Sequence, residues 1–435
     1  MLTQYKPQGR NASEISRDVE GAVRDGRLAP GAALPPVRGL AADLGLSPVT
    51  VAAAYRELRE KGIARGNGRA GTHITGAPPI GPRPALTVPD GVRNLLVGSP
   101  DPELLPALPA VTPRPRLYGE PPVTPRLGRL AAEQFRADGI DPACLAVVGG
   151  ALDGVERVFG AWLRPGDRVG VEDPGYPPVL DLLAAMGLTA VAMPIDDSGV
   201  RPDALRDALA RGCQAVLFTP RAQAPTGAAW DQARAGELRE VLASQPDVLV
   251  IEDDHAGPVA GAPAHTIVDG GRQRWATIRS ASKSLGPDLR LATLAGDAVT
   301  VSRVEGRQAL GTGWVSHLLQ EIVAELWSDR STGRLFARAA ARYAERRHGL
   351  IDALAAQGVA AHGRSGLAVW VPVADELAAT TALLQRGWAV APGERFRMSA
   401  PPGIRIGTGT LTPREAATLA TDIAVSLAGR PRRSD

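Results

Sequence analysis

Lys283 lies in a segment whose side chains are suited to covalent chemistry on a phosphorylated aldehyde. Serine hydroxyls flank the lysine and an arginine follows seven residues later, in Ser280, Ser282, Lys283 and Arg290. A lysine amine forms a Schiff base with an aldehyde, while hydroxyl and guanidinium groups bind a phosphate dianion. A lone lysine is most often a surface residue, so the prediction depends on its neighbours.

An acidic cluster at the end of an apolar run supplies a second element of the same chemistry. Residues Val248–Glu252 form the apolar run, and Asp253, Asp254 and His255 follow it directly. A carboxylate in this position is able to pair with a pyridinium nitrogen. Alone, such a cluster is most often solvated surface.

Three further motifs follow apolar runs that we predict to be strands. The Gly149-Gly150 pair precedes a predicted helix that begins near Ala151, and open backbone amides at a helix N-terminus form an anion site. The other two motifs are Val171–Tyr176 and Thr219–Gly227. Loops at the carboxyl ends of strands are where open α/β sheets bind ligands. A Gly-Gly pair alone is weak evidence for phosphate.

Strand-like runs alternate with helix-length segments over the larger part of the chain. The alternation predicts a mostly parallel sheet of the α/β class. The predicted strands are Arg168–Glu172, Ala190–Pro194, Ala215–Thr219 and Val248–Glu252.

The N-terminal residues have a different pattern, typical of a helix-turn-helix. Ser13–Gly26 and Pro36–Leu44 predict two helices, with Ser13 as the expected N-cap of the first, and Ser47 is predicted to cap a third. Gly45 separates the second helix from the third, and the glycine-containing stretch 63–75 predicts a β-hairpin, the wing.

Charge and composition are consistent with a DNA-binding end and a soluble, cytoplasmic protein. Residues 1–75 contain 11 basic and seven acidic side chains, a net charge of +4, whereas the remainder contains 38 and 39. A basic excess favours nucleic acid as a partner because Lys and Arg displace counterions from phosphates. The sequence contains no uninterrupted apolar stretch of about 18 residues, and its two cysteines predict no disulfide framework or metal site.

Residues 28–62 read LAPGAALPPVRGLAADLGLSPVTVAAAYRELREKG, and the wing ends in Gly71-Thr72. This stretch resembles the GntR family of winged-helix regulators. The resemblance implies a double-stranded DNA operator as partner, contacted by Arg38, Ser47, Thr50, Arg65 and Arg69. Pro48 departs from the family, which usually has a polar or basic residue there, and proline removes one possible contact. A helical packing module that binds no DNA is the alternative.

In order and spacing, the motifs of the larger part resemble fold-type I enzymes that use pyridoxal 5′-phosphate (PLP), of the aspartate aminotransferase class, from about Leu95 to Leu427. The resemblance implies that Lys283 holds PLP as an internal aldimine and that Asp253 pairs with the pyridinium nitrogen. Arg405 would bind the α-carboxylate of an amino-acid substrate or effector, and Tyr118 would reach the phosphate of a neighbouring subunit in a homodimer. The other implied cofactor contacts are Gly150, Ala151, Tyr176, His255, Ser280, Ser282 and Arg290.

Both resemblances together indicate the MocR subfamily, in which a GntR-like DNA-binding domain, here called the reader, precedes an aminotransferase-like domain. We predict a winged helix-turn-helix over residues 1–75, a Pro-rich linker over 76–90 and a PLP-binding effector domain over 91–435. The expected function is PLP-dependent or PLP-sensing transcription regulation.

Two departures bear on turnover. His255 stands where the subfamily has tyrosine, and Ala224 stands where aminotransferases have asparagine. Both positions would contact the phenolic oxygen of PLP. Loss of the tyrosine and asparagine side chains there therefore weakens proton transfer more than cofactor binding. We therefore expect no sustained turnover. Two alternatives remain: a working aminotransferase, or a regulator whose large domain has lost PLP and serves dimerisation or another ligand.

Overall fold

A computed structural model describes residues 5–29, 31–60, 63–66, 71–75, 88–112, 114–142 and 144–428. The chain divides into two compact units, one of Met1–Leu86, Leu163–Arg168 and Pro178–Ala190 and one of the remaining residues. The predicted linker lies outside the described residues except for positions 88–90. Within the described ranges, no helix is both long and apolar enough to cross a membrane.

The N-terminal residues form three helices and a two-stranded antiparallel sheet, as predicted. These elements are α1 (Ala12–Arg24), α2 (Val37–Leu44), α3 (Pro48–Glu60), β1 (Ala64–Gly66) and β2 (Thr72–Ile74). Their apolar side chains form one core that includes Ile15, Leu40 and Tyr55. The three helices and the hairpin are therefore a winged helix-turn-helix.

The helix ends follow local capping chemistry. Gly45 ends α2 in the left-handed region at φ 66°, which glycine adopts without steric cost. Ser47 Oγ accepts a hydrogen bond from the Thr50 amide at 3.1 Å, so it caps α3 as predicted. The prediction that Ser13 caps α1 is wrong, because the helix begins earlier and the Asn11 side chain accepts from the Glu14 amide at 2.9 Å.

The larger part of the chain is built on an eight-stranded sheet, with strand order β4-β11-β10-β9-β8-β5-β6-β7. The adjacent strands β5, β8, β9 and β10 run parallel to one another. Strand β11 is antiparallel to both of its neighbours, β10 and β4. The strands are β3 (Arg93–Asn94), β4 (Cys144–Val148), β5 (Arg168–Asp173), β6 (Thr189–Asp196), β7 (Gly199–Val200), β8 (Ala215–Phe218), β9 (Leu249–Asp254), β10 (Trp275–Ser280) and β11 (Ala292–Gly296).

A smaller C-terminal sheet has the order β12-β15-β14, and β13 pairs with β3. Its strands are β12 (Ala368–Pro372), β13 (Trp388–Ala389), β14 (Ala391–Pro392) and β15 (Gly403–Gly407). The helices are α4 (Pro125–Ala137), α5 (Ala151–Trp162), α6 (Pro177–Ala185), α7 (Pro202–Ala210), α8 (Gln232–Ala243), α9 (Ala298–Ala309), α10 (His317–Ser328), α11 (Arg330–Ala356), α12 (Glu376–Gln385) and α13 (Pro413–Ala428).

Burial explains why the strand sequences are nearly continuous apolar runs. Every residue of β8 is buried, and β9 is buried except at Asp253, which is half-buried. Parallel strands covered on both faces have this pattern. The α/β prediction is confirmed, with strand bounds displaced by up to two residues. The loops that carry the predicted site residues follow β5, β8, β9 and β10 at their carboxyl ends.

Candidate functional site

Lys283 lies in the loop that follows β10 and is half-buried. Its Nζ donates a hydrogen bond to the carbonyl oxygen of Gly98 at 2.7 Å. Burial, with the positive charge of Arg405, lowers the pKa of Lys283 to about 8. The amine is therefore neutral, and so nucleophilic, in a larger fraction of molecules than an exposed lysine.

Arg405 lies in β15 and supplies a second buried cation beside Lys283. Its Nη1 donates to the carbonyl oxygen of Leu96 at 2.9 Å, and its guanidinium carbon lies 5.9 Å from the ring centre of Phe396. Burial lowers the pKa of Arg405 to about 10. Its Nε is buried and has no hydrogen-bond partner among the described residues. A carboxylate bound here would supply the acceptor that this nitrogen lacks.

Asp253 and Asp254 are adjacent on β9 but have opposite electrostatic environments. Burial, and then the charges of Asp254 and Glu172, raise the pKa of Asp253 to about 7. Its Oδ1 is buried without a hydrogen-bond partner in the described part of the chain. An acceptor in this state is suited to a donor that carries positive charge, such as a protonated ring nitrogen.

Asp254 is held by two arginines. Arg221 donates to both carboxylate oxygens at 2.8 Å, and Arg279 Nε donates at 2.9 Å. Although burial opposes ionisation, these hydrogen bonds hold the pKa of Asp254 well below its usual range. Arg279 also reaches Asp138 at 2.6 Å. The sequence gives no local signal for this network, because its charged residues lie in two strands and two separate loops.

His255 and Tyr176 interact electrostatically with the site residues already described. Burial, with the positive charge of Lys283, lowers the pKa of His255 to about 4, so its imidazole is neutral at physiological pH. Tyr176 follows β5, and its pKa is raised by burial and then by the charge of Asp253. The carboxyl ends of β5, β9 and β10 and the loops that follow them therefore bring four side chains into one cluster: Tyr176, Asp253, His255 and Lys283.

Ala224 lies in the loop after β8, which is held by a neighbouring side chain. Gln223 Nε2 donates to the carbonyl oxygen of Pro174 at 2.8 Å, and Gln223 Oε1 accepts from the Thr226 hydroxyl at 2.7 Å. The loop is thus tied to the one that carries Tyr176. The methyl group of Ala224 brings no hydrogen-bonding group to this side of the cluster.

Arg290 and Gly150 meet where the resemblance implies a phosphate. Gly150 has φ 116°, a backbone conformation that favours glycine, and a Cβ atom there would lie 3.0 Å from Arg290 Nη2. Ala151 is the first residue of α5. The hydroxyls of Ser280 and Ser282 lie 2.9 Å apart near Lys283 in the chain.

Asp153 is an unexpected acid in the first turn of α5. Its carboxylate accepts from the Gly149 amide at 2.7 Å and from Arg157 Nε at 3.0 Å. The carboxylate therefore occupies one amide that a bound anion would use, and Arg157 offsets its charge. The acid was visible in the sequence, but its contact depends on the turn between β4 and α5.

Tyr118 is not part of the Lys283 cluster within one chain. Its side chain is 93% exposed and contacts Trp314 edge-on, with ring centres 5.8 Å apart. The implied role of Tyr118 across a dimer stays a prediction.

The predicted DNA contacts are partly described. Arg38 lies exposed in the first turn of α2, and Ser47 and Thr50 lie at the start of α3 with their hydroxyls 2.9 Å apart. Arg65 pairs with His73 through the wing backbone. The side chain of Arg65 and the whole of Arg69 lie outside the described residues.

The residues present fit PLP at three points. The unpartnered Oδ1 of Asp253 suits the pyridinium nitrogen, and the buried amine of Lys283 suits the aldehyde carbon. The guanidinium of Arg290, which lies close to Gly150, suits the phosphate as a charged donor. Each point is a property of this chain's own side chains.

Comparison with known proteins identifies both parts of the chain. Residues 11–74 match the family described as bacterial regulatory proteins, gntR family, and residues 112–423 match aminotransferase class I and II. The chain is 39% identical to the vitamin B6 salvage pathway transcriptional repressor PtsJ of Salmonella typhimurium, over 95% of this chain and 98% of that protein. It is 31% identical to the pyridoxine biosynthesis transcriptional regulator PdxR of Corynebacterium glutamicum, over 56% of each chain.

Solved aminotransferases share the fold. LysN, an alpha-aminoadipate aminotransferase of Thermus thermophilus, superposes with a TM-score of 0.68 at 20% identity, over 78% of this chain and 93% of that one. The kynurenine aminotransferase of Pyrococcus horikoshii gives a TM-score of 0.69, also at 20% identity, over 78% and 91% of the two chains. The chain therefore belongs to the MocR subfamily of GntR-type transcription regulators, which join a winged helix-turn-helix to a fold-type I aminotransferase-like domain.

Proposed function

We propose that the protein is a PLP-responsive transcription regulator, in which PLP held by Lys283 sets the affinity of the reader for operator DNA. The observation that carries the proposal is the buried Oδ1 of Asp253, which has no partner among the described residues. Leaving a buried acceptor unpaired costs about 1–3 kcal/mol. A ligand that supplies a charged N–H donor recovers this cost.

The side chains of the cluster have separate roles in this proposal. Bound PLP supplies an electron-accepting ring and an aldehyde carbon. Lys283 provides the nucleophilic amine, Asp253 holds the proton on the ring nitrogen, and Arg290 with the serine hydroxyls binds phosphate. Arg405 offers its unpartnered Nε to the carboxylate of an amino-acid effector.

Neutral His255 and apolar Ala224 support a sensing role rather than turnover. A histidine whose pKa is about 4 is neutral near pH 7, so its one ring N–H can donate a hydrogen bond but it carries no acidic proton to transfer. Repeated proton transfer is therefore poorly supported, whereas binding is retained. A turnover number near the enzyme median of about 10 per second with common amino acids and 2-oxo acids would favour an aminotransferase instead.

The DNA partner is proposed on the reader's fold and its basic charge. The 39% identity to a vitamin B6 salvage repressor supports genes of vitamin B6 salvage as the targets. We propose that the protein acts in the cytoplasm as a homodimer whose two readers bind repeated half-sites. A monomer in sedimentation at micromolar concentration, with and without PLP, would contradict the dimer.

Absorption and chemical labelling test the PLP site directly. Apo-protein titrated with PLP should develop the long-wavelength band of a lysine Schiff base, and borohydride should fix the label on Lys283. Lys283→Ala protein should show neither, and Lys6→Ala protein, altered at an exposed lysine, should behave like the native protein. An unchanged band and label in Lys283→Ala would contradict the assignment.

A further inference from the structure

Val49 breaks the burial pattern of α3. Its side chain is 78% exposed, whereas Val51, two residues later, is 0% exposed. The other apolar residues of the core face of this helix are buried too: Ala54, Tyr55 and Leu58. An isolated exposed valine needs no explanation on most surfaces, so its meaning depends on where it lies.

Val49 lies in the first turn of α3, the second helix of the helix-turn-helix. In this motif the N-terminal residues of the second helix contact base edges in the major groove. The polar groups beside Val49 partly satisfy one another: Thr50 donates its amide to Ser47 Oγ at 3.1 Å, and the two hydroxyls share one hydrogen bond at 2.9 Å. Pro48 has no amide hydrogen to offer. The exposed apolar side chains in this turn are therefore those of Pro48 and Val49, and of the two Val49 carries the free methyl groups.

The residues that follow Val49 on the same face favour close approach to DNA. Ala53 is small and half-buried, and Arg56 is exposed. Arg56 follows Val49 by two helical turns, about 10.5 Å along the axis. The major groove is about 12 Å wide and admits a helix. This face therefore places methyl groups at the end that reads bases and a guanidinium group within reach of the phosphates.

We propose that Val49 reads the C5-methyl group of a thymine in each operator half-site, a specificity role that rests on the DNA-binding function proposed above. The thymine methyl is the apolar group that a base pair presents in the major groove. Contact between methyl groups removes apolar surface from water and forms no hydrogen bond. Val49 therefore distinguishes thymine from uracil, which differ by this methyl group alone.

The test uses full-length, PLP-loaded protein and duplexes that it selects from a random library. Each thymine of the selected half-site is replaced in turn by deoxyuridine. At one position in the half-site, the Kd of the native protein should rise about fourfold, which corresponds to the ~0.8 kcal/mol of one buried methyl group. Val49→Ala protein should bind the thymine duplex more weakly and give equal Kd values for thymine and uracil at that position.

A matched valine controls for loss of the side chain itself. Val299 is 52% exposed on α9 of the large domain, and Val299→Ala protein should keep the native discrimination. Equal native Kd values for thymine and uracil at every position would overturn the inference, and so would full discrimination by Val49→Ala. Duplex binding without methyl discrimination leaves the proposed function standing. The selection is repeated with apo-protein, because PLP is proposed to change the affinity in either direction. Selection of no duplex in both states overturns that function and the inference with it.

Discussion

The face of α3 that we propose to read DNA and the cluster around Lys283 hold their functional groups in opposite ways. On α3, Ser47 and Val49 are exposed, and the core lies on the other face of the helix. In the cluster, Arg405 is buried and Asp253 and His255 are half-buried, and burial shifts the pKa of each. Groups on an exposed face act on a partner and contribute little to folding. Groups in a buried cluster affect stability, protonation and binding together.

Because of this difference, we expect substitutions in the two regions to have different effects. A change at an exposed side chain of α3, such as Val49, should alter DNA binding and change the unfolding free energy only slightly. A change in the cluster around Lys283 should alter the unfolding free energy, the pH dependence of that free energy and the PLP affinity together, because the same charges determine all three.

The largest expected effect is the loss of stability when an arginine that neutralises Asp254 is replaced. Arg221→Ala removes a bidentate partner and leaves a buried carboxylate with fewer donors, so the free energy of unfolding should fall by about 3 kcal/mol. Urea unfolding followed by circular dichroism measures the change. Arg342 provides the control, because its pair with Glu345 is more than half exposed at both side chains and Arg342→Ala should cost under about 1 kcal/mol. Equal losses for the two variants would contradict the buried network.

The next effect is the pH dependence of the apo-protein. Burial raises the pKa of Asp253 to about 7, so the folded state binds a proton between about pH 4 and 7 that the unfolded state has released. Stability from this group is therefore present at low pH and is lost as pH rises towards 7. Between pH 5 and 8 the loss should be about 2 kcal/mol, and Asp253→Asn should remove it.

Glu172 and PLP sharpen this test. Burial also raises the pKa of Glu172 to about 7, so a smaller slope of the same sign should remain in Asp253→Asn protein. Loading the native protein with PLP should flatten the slope too, because a ring N–H gives Asp253 Oδ1 a partner in its charged form. An identical pH slope in the native and Asp253→Asn apo-proteins would show that Asp253 does not titrate in this range.

The smallest effect compares two valines on one helix. Val51→Ala removes two buried methyl groups and should lower the unfolding free energy of the reader by about 1.5 kcal/mol. Val49→Ala removes the same groups from an exposed position and should change it by under about 0.5 kcal/mol. Thermal unfolding of both variants measures this difference. Similar losses would indicate that Val49 packs against the protein.

The motifs around Lys283 could be predicted because each is a short sequence tied to the end of a strand. Asp253 and Lys283 lie at the ends of apolar runs whose strands are adjacent, so their position at one edge of the sheet follows from its parallel topology. The helix-turn-helix was predictable for a similar reason, since Gly45 and Ser47 mark its turn locally.

The contacts that the sequence did not predict join distant residues. Gly98 accepts from Lys283 across 185 positions, and Arg279 reaches Asp138 across 141. A backbone carbonyl carries no side-chain signature, and an arginine within a strand resembles any exposed charge until its neighbours are known. Val49 was missed because the helical pattern of apolar residues was used to find the core and not to find departures from it.

The most direct test of the account is operator affinity measured on one protein in three states. Apo-protein, PLP-loaded protein and Lys283→Ala protein with excess PLP are titrated against the selected duplex at one fixed salt concentration, since phosphate contacts make affinity salt-dependent. We predict that PLP changes the Kd of native protein by at least about fivefold, the lower end of typical allosteric coupling, and leaves Lys283→Ala at the apo value. Equal affinity in all three states would contradict the claim that PLP on Lys283 controls DNA binding.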